Sequence, residues 1–157
     1  MICNGFLDCH LKRLKLSGCN DCLKVTNESR PTVKENNVSY TIGNKSKITV
    51  LKYKVDNGLI SGVDEIRCDY LMMFPDCMKS YYIELKSQGW KKALNQLSNT
   101  YRLLHKEIYE YTPHLRAVIK SNVPNTRYNQ EMKTLKGIRS NYPKATLRVG
   151  SRFNDEV

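Results

Sequence analysis

The hydrophobic positions change period along the chain. Val38, Tyr40 and Ile42 alternate with polar residues and run into Gly43-Asn44, the signature of a strand closed by a turn. Ile48, Val50, Tyr53 and Val55 continue as a β-branched and aromatic stretch that breaks at Asp56-Asn57-Gly58. Ile66 to Phe74 reads as a short apolar strand interrupted by Cys68 and Asp69. Pro75-Asp76 is a turn, and Tyr81 to Lys86 is a further strand, so this region predicts a small antiparallel meander. From 90 to 109 the period becomes helical: Leu94, Leu97, Tyr101, Leu104 and Ile108 step by 3, 4, 3 and 4 positions, and Gly89 loosens the turn before them. Leu115 to Ile119 reads as a buried strand, Asn129 to Ser140 as a second helix and Ala145 to Val149 as a last strand. That order predicts an α/β (α+β) fold, with a mixed central β-sheet flanked by helices.

The first 31 residues follow a different pattern. Phe6, Leu7, His10, Leu11 and Leu14 have helical spacing, Gly18 would end that helix, and Pro31 closes the segment. A Cys-rich segment at 1–31 and a main domain at 32–157 are therefore expected. Cys3, Cys9, His10, Cys19 and Cys22 lie close together, and Cys19-x-x-Cys22 has knuckle spacing. A structural Zn²⁺ held by Cys3, Cys9, Cys19 and Cys22, or by three cysteines and His10, is one reading. Reduced thiols packed as small apolar residues is the other. Cys68 and Cys77 are expected to face the core or the hairpin turn, and His105 and His114 to be surface or packing residues.

Length and charge narrow the classes. The chain has 157 residues, with 26 Lys+Arg against 15 Asp+Glu, a formal net charge of +11. No apolar run approaches the roughly 18 residues of a membrane span. The N-terminus lacks a basic segment followed by an apolar one, so no signal peptide is expected and the expected compartment is the cytoplasm. The excess charge points to a polyanion, most commonly nucleic acid. Between Pro113 and Arg152 the basic residues include Arg116, Lys120, Arg127, Lys133, Lys136 and Arg139, with Glu131 the only acid. Tyr128 and Tyr142 are interleaved and could stack on bases. Lys91 and Lys92, at the start of the long helix, are placed to contact phosphates.

The chemistry-bearing pattern is Asp69 on one strand and Glu84-Leu85-Lys86 on the next. Strand residues two apart share a face, so Glu84 and Lys86 project together. A hairpin through Pro75 would bring Asp69 beside Glu84. Two adjacent carboxylates resist joint ionisation unless a cation joins them, and Mg²⁺ is typically held by one or two carboxylates and a substrate phosphate. A nearby lysine can hold the attacking water and offset phosphate charge. The plainer reading is a solvated Glu-x-Lys edge, with Asp69 capping a turn or pairing with Arg67 or Lys79.

The segment IRCDYLMMFPDCMKSYYIELKSQGWKKALNQLSNTY resembles the core of the PD-(D/E)XK nuclease superfamily, and the likeness of pattern extends over residues 45 to 120. The resemblance implies a restriction-endonuclease-like core and a metal-dependent nuclease acting on DNA, ahead of RNA. It implies that Asp69, Glu84 and the Leu85 carbonyl bind Mg²⁺ or Mn²⁺, that Lys86 positions water, and that Gln88 or Gln96 positions substrate or water. Asp76, in the literal Pro-Asp string, is the second choice for the first acid. Glu28 and Glu35 are the nearby options for a third acid, and neither lies on a convincing helix. A homodimer would allow two strands to be cut. The rival readings are a non-catalytic nucleic-acid-binding protein and a protein-interaction module on a nuclease-like fold.

Overall fold

The computed structural model describes residues 22–60, 62, 64, 66–125 and 127–157. Nine strands are found among them: β1 (Leu23–Thr26), β2 (Thr32–Glu35), β3 (Val38–Gly43), β4 (Val50–Lys54), β5 (Tyr70–Phe74), β6 (Lys79–Lys86), β7 (Thr112–Ile119), β8 (Thr146–Gly150) and β9 (Asp155–Glu156). Two α-helices accompany them, α1 (Trp90–Leu104) between β6 and β7 and α2 (Arg127–Arg139) between β7 and β8. The main sheet has six strands in the order β1-β4-β5-β6-β7-β8. Its first three pairings are antiparallel, while β6-β7 and β7-β8 are parallel. The fold is therefore mixed α/β, with a meander that turns parallel after the α1 crossover.

Alternation along the strands explains the layers. Leu51, Tyr53, Leu71, Met73, Tyr82, Leu115 and Ala117 face one side and pack on Ala93, Leu94 and Leu97 of α1 and Leu135 and Ile138 of α2. Their neighbours Val50, Met72, Phe74, Tyr81, Ile83, Leu85 and Val118 face the other side. There they meet Val33, Val38, Tyr40 and Ile42, which belong to a smaller sheet of order β2-β3-β9. Central strands β6 and β7 are covered on both faces and so read as near-continuous buried runs.

Several sequence expectations shift. The long helix ends at Leu104 and tightens into a 3₁₀ turn at His105–Glu107, while Ile108 still reaches the core. The Pro75 turn is a 3₁₀ helix closed by Met78 in the left-handed region at φ 51°. Ladder pairing in β5 starts at Tyr70, so Ile66 to Cys68 lie outside the strand and Asp69 forms a bend before it. Leu23–Thr26 is the edge strand of the main sheet, so the boundary expected at residue 31 cuts through that sheet. Cys22 is buried in the core on the helix side.

Arg116 is corrected outright. It was expected on a phosphate-binding surface, but it is 1% exposed and faces the small sheet. Its Nε and Nη2 donate to the two Asp155 oxygens at 2.8 and 2.7 Å, and the Tyr40 hydroxyl donates to Oδ2 at 2.6 Å. Burial pushes the Asp155 carboxyl up, yet these hydrogen bonds hold it below its ordinary range. The bidentate pair fastens β9 of the small sheet to β7 of the main sheet and removes Arg116 from any outer surface.

Candidate active site

Hairpin register decides which residues meet. The β5–β6 ladder begins where Tyr70 pairs with Ile83, and Asp69, just before it, bends out of that register and reaches along the Ile83–Leu85 stretch that carries Glu84. The Asp69 amide donates to the Ile83 carbonyl at 3.1 Å, and its Oδ2 accepts the Leu85 amide at 2.7 Å. The Leu85 carbonyl leaves the strand on the same side as that amide, toward Asp69. Glu84 shares its face with Tyr82 and is wholly buried. Neither of its carboxylate oxygens has an aligned hydrogen-bond partner. The Lys86 ammonium lies 2.9 Å from Oε1, an ion-pair contact, and its side chain is 22% exposed.

The electrostatics follow from this packing. Burial, then the charge of Asp69, pushes the Glu84 carboxyl up to about 7, and Lys86 only partly opposes them. Burial pushes Asp69 up to about 6, against the pull of the Leu85 amide and Lys86. The trio is one positive charge short when both carboxylates are ionised, so it favours a proton or a further cation.

Helix α1 sets the position of Asp69 from behind. Gln96 Nε2 donates to the Arg67 carbonyl at 2.8 Å, and Asn99 Nδ2 donates to the Ile66 carbonyl at 2.5 Å. The Cys68 amide donates to Thr100 Oγ1 at 2.8 Å, and that hydroxyl donates to the Gln96 carbonyl at 2.8 Å. Positions 96, 99 and 100 share one helical face, so one stripe grips the three residues that precede Asp69. Gln96 therefore holds the strand segment with its amide nitrogen, while its Oε1 is buried without a hydrogen-bond partner. Asn99 and Thr100 were not singled out in the sequence; polar residues on the inner half of an otherwise amphipathic helix are the signal that marks them.

The remaining candidates divide. Gln88 is exposed in the β6–α1 connection. Lys91 and Lys92 are exposed in the first turn of α1, which contains no acid and starts after Gly89 at φ 89°. Lys120 is exposed just past β7, and its amide holds the Lys86 carbonyl at 3.0 Å. On α2, Lys133, Lys136 and Arg139 are exposed, whereas Arg127 pairs with Glu131 at 3.1 Å. Asp76 is excluded as the first acid. It lies at the turn end of the hairpin, beyond the five strand steps, roughly 17 Å, that separate Lys79 from Glu84.

Arg67 bonds Asp56 at 2.6 Å, and Lys79 pairs opposite Phe74 near the hairpin turn, away from Asp69. Glu28 makes long ion pairs with Lys24 and Lys52 at 3.8 and 3.9 Å. Glu35 lies 3.3 Å from the Tyr70 hydroxyl, and its charge helps to raise Asp69. Cys3, Cys9, His10 and Cys19 lie outside the described residues.

No protein-family model, curated protein or solved structure matches the chain. The chemistry must be read from the site itself. Among the described residues, no group of three or more His, Cys, Asp and Glu side chains gathers around a common point. A cation here would rest on the two carboxylates, with main-chain oxygen and water completing its shell. No described helix is long and apolar enough to cross a membrane.

Proposed function

We propose that this chain is a metal-dependent nuclease that hydrolyses phosphodiester bonds, with DNA the first substrate to test and RNA the second. The observation that carries the reading is Glu84: a fully buried carboxylate, without aligned hydrogen bonds, flanked by the two hydrogen bonds that tie Asp69 to Ile83 and Leu85, and 2.9 Å from Lys86. A carboxylate left this way costs stability unless a cation or proton meets it. Oxygen donors of this kind suit Mg²⁺ or Mn²⁺, which Asp69, Glu84 and the Leu85 carbonyl would hold. When bound, the metal supplies Lewis-acid polarisation of the phosphoryl group.

The protein's own groups do the rest. Asp69 is held by the Leu85 amide and, through its backbone, by the α1 stripe, so its carboxylate is pre-organised. Lys86 sits at the mouth of the buried pair, partly exposed, where its ammonium can hold the attacking water and offset phosphate charge. Lys91 and Lys92 offer positive charge to flanking phosphates. The order β5, β6, α1, β7 agrees with what the resemblance to PD-(D/E)XK nucleases implies.

The test is cleavage of a mixed panel of single-stranded, duplex and branched DNA and RNA with Mg²⁺ or Mn²⁺. Wild type should cut at least one member, while Glu84→Ala and Lys86→Ala lose at least a hundredfold in rate. Equal activity in all three, or none in the wild type with either metal, overturns the reading. Binding without cleavage would favour a non-catalytic nucleic-acid-binding protein.

A further inference from the structure

We propose that the polar cleft between β3, the end of β7 and the β8–β9 connection is a binding track for the phosphate backbone of a nucleic acid. Two adjoining cavities form it. One, of about 490 Å³, is lined by Arg30, Ser39, Asn154 and Arg152 among others. The other, of about 360 Å³, shares Ser39, Val118, Ser151 and Arg152 with it and extends to Lys120.

The charges in this cleft are not balanced internally. Arg30, Lys120 and Arg152 are all exposed, and among the described residues none of the three has an ion-pair partner. The two acids of the cleft are already engaged. Asp155 is held by Arg116 and Tyr40 and lies 3.7 Å from Arg148, and Glu156 lies 3.0 Å from Lys45. What faces solvent is the Lys45–Glu156 pair and, beyond it, three cations interspersed with the hydroxyls of Ser39 and Ser151 and the amide of Asn154. Separated cations with neutral donors between them suit a repeating monoanion such as a phosphodiester chain.

Position connects the cleft with the carboxylates. Lys120 follows β7 and Ser151 follows β8, so the cleft opens at the carboxyl ends of the parallel strands. Lys86 ends β6 at the same edge, and its carbonyl accepts the Lys120 amide. Ligands of α/β sheets bind outside this edge. A chain passing Lys91 and Lys92 on the helix side would cross Lys86 and enter the cleft at Lys120, continuing past Arg152 to Arg30. The direction of this path rests on the nuclease reading, whereas the cleft's affinity for phosphates does not.

The test is fluorescence anisotropy of a labelled 20-nucleotide oligothymidine in EDTA, at several salt concentrations. Three proteins are compared: wild type, the cleft triple Arg30→Gln/Lys120→Gln/Arg152→Gln, and the edge triple Lys24→Gln/Lys34→Gln/Lys54→Gln. The edge triple removes the same charge from β1, β2 and β4. All six positions are exposed, so melting temperatures should be unchanged. The cleft triple should bind at least tenfold more weakly. Its slope of log Kd against log salt should fall by about 2, at about 0.7 for each lost single-strand phosphate contact. The edge triple should stay within about threefold of wild type. Equal weakening in the two triples, or no binding by the wild type at low salt, overturns the cleft. A protein that loses affinity in the cleft triple yet cuts nothing with metal retains the cleft and loses the nuclease reading. One that cuts with metal while its cleft triple binds as wild type loses the cleft alone.

Discussion

Asp69 accepts the amide of Leu85 at 2.7 Å, across the hairpin rather than along its own strand. This bond occupies one Asp69 oxygen and holds the carboxylate at the Glu84–Leu85 peptide, near enough that its charge helps to raise Glu84. A wholly buried carboxylate and a half-buried one thus share a single lysine, which contacts Glu84 at 2.9 Å and acts on Asp69 through its charge.

The first consequence is a pH dependence of stability. Glu84 is raised from 4.5 to about 7 and Asp69 from 3.8 to about 6, in both cases chiefly by burial. A carboxyl with a raised folded pKa binds its proton more tightly in the folded state. Its stabilising contribution is complete below the unfolded pKa and is lost as pH rises through the folded one. Metal-free protein should therefore lose on the order of 4 kcal/mol from this pair between pH 4.5 and 7. His105 and His114, lowered to about 4 by burial, act oppositely, gaining stability as pH rises from 4 toward 6.5. The measurement is the difference in denaturation free energy between wild type and Glu84→Gln at pH 5 and pH 7.5. The gap should move in favour of Glu84→Gln at the higher pH, and a constant gap would contradict the burial assigned to Glu84.

Thr100 carries the second prediction. Its hydroxyl accepts the Cys68 amide in a buried setting. Thr100→Val keeps the shape but orphans that amide, at a cost of about 1–3 kcal/mol. Thr100→Ser should cost less than 1 kcal/mol, since the acceptor remains. Chemical denaturation checks both. A Thr100→Val protein as stable as wild type would mean that the α1 stripe does not hold the segment before Asp69.

The third concerns Arg116 and Asp155. Asp155→Ala leaves a guanidinium buried without its carboxylate and should cost about 3–5 kcal/mol. Arg116→Met in the same chain should recover part of that loss, because the orphaned charge is gone. If the double variant is as unstable as the sum of the two singles, the pair is not coupled as the 2.7 Å contact requires.

Much of the frame was legible in the chain because period carries it. The meander, the α1 stripe and the β7 and β8 strands follow from alternation and from 3–4 spacing, with ends displaced by a few residues. That the Pro75 hairpin would bring Asp69 to the strand carrying Glu84 and Lys86 was legible, whereas the bend that takes Asp69 out of the ladder was not. Of the small sheet only β3 was legible. β9 is two residues long and β2 four, as is β1 at the edge of the main sheet, all too short for periodicity to register, and tertiary pairing alone defines them. Arg116 was misplaced for a related reason. Its strand reads as apolar with one charge, and only Asp155, 39 positions later, makes that charge tolerable inside. The grip of Asn99 and Thr100 on the segment before Asp69 depends on a docking angle that no local pattern encodes.

The most direct measurement is calorimetric titration of Mn²⁺ into the protein at pH 6.5, repeated in buffers of different ionisation enthalpy. Wild type should bind the ion at the Asp69–Glu84 pair and release protons as it does so, because Glu84 is raised to about 7. Asp69→Asn and Glu84→Gln should each weaken binding by more than tenfold and reduce the proton release. No binding by the wild type, or equal binding in all three proteins, would contradict the assignment of this pair as a cation site.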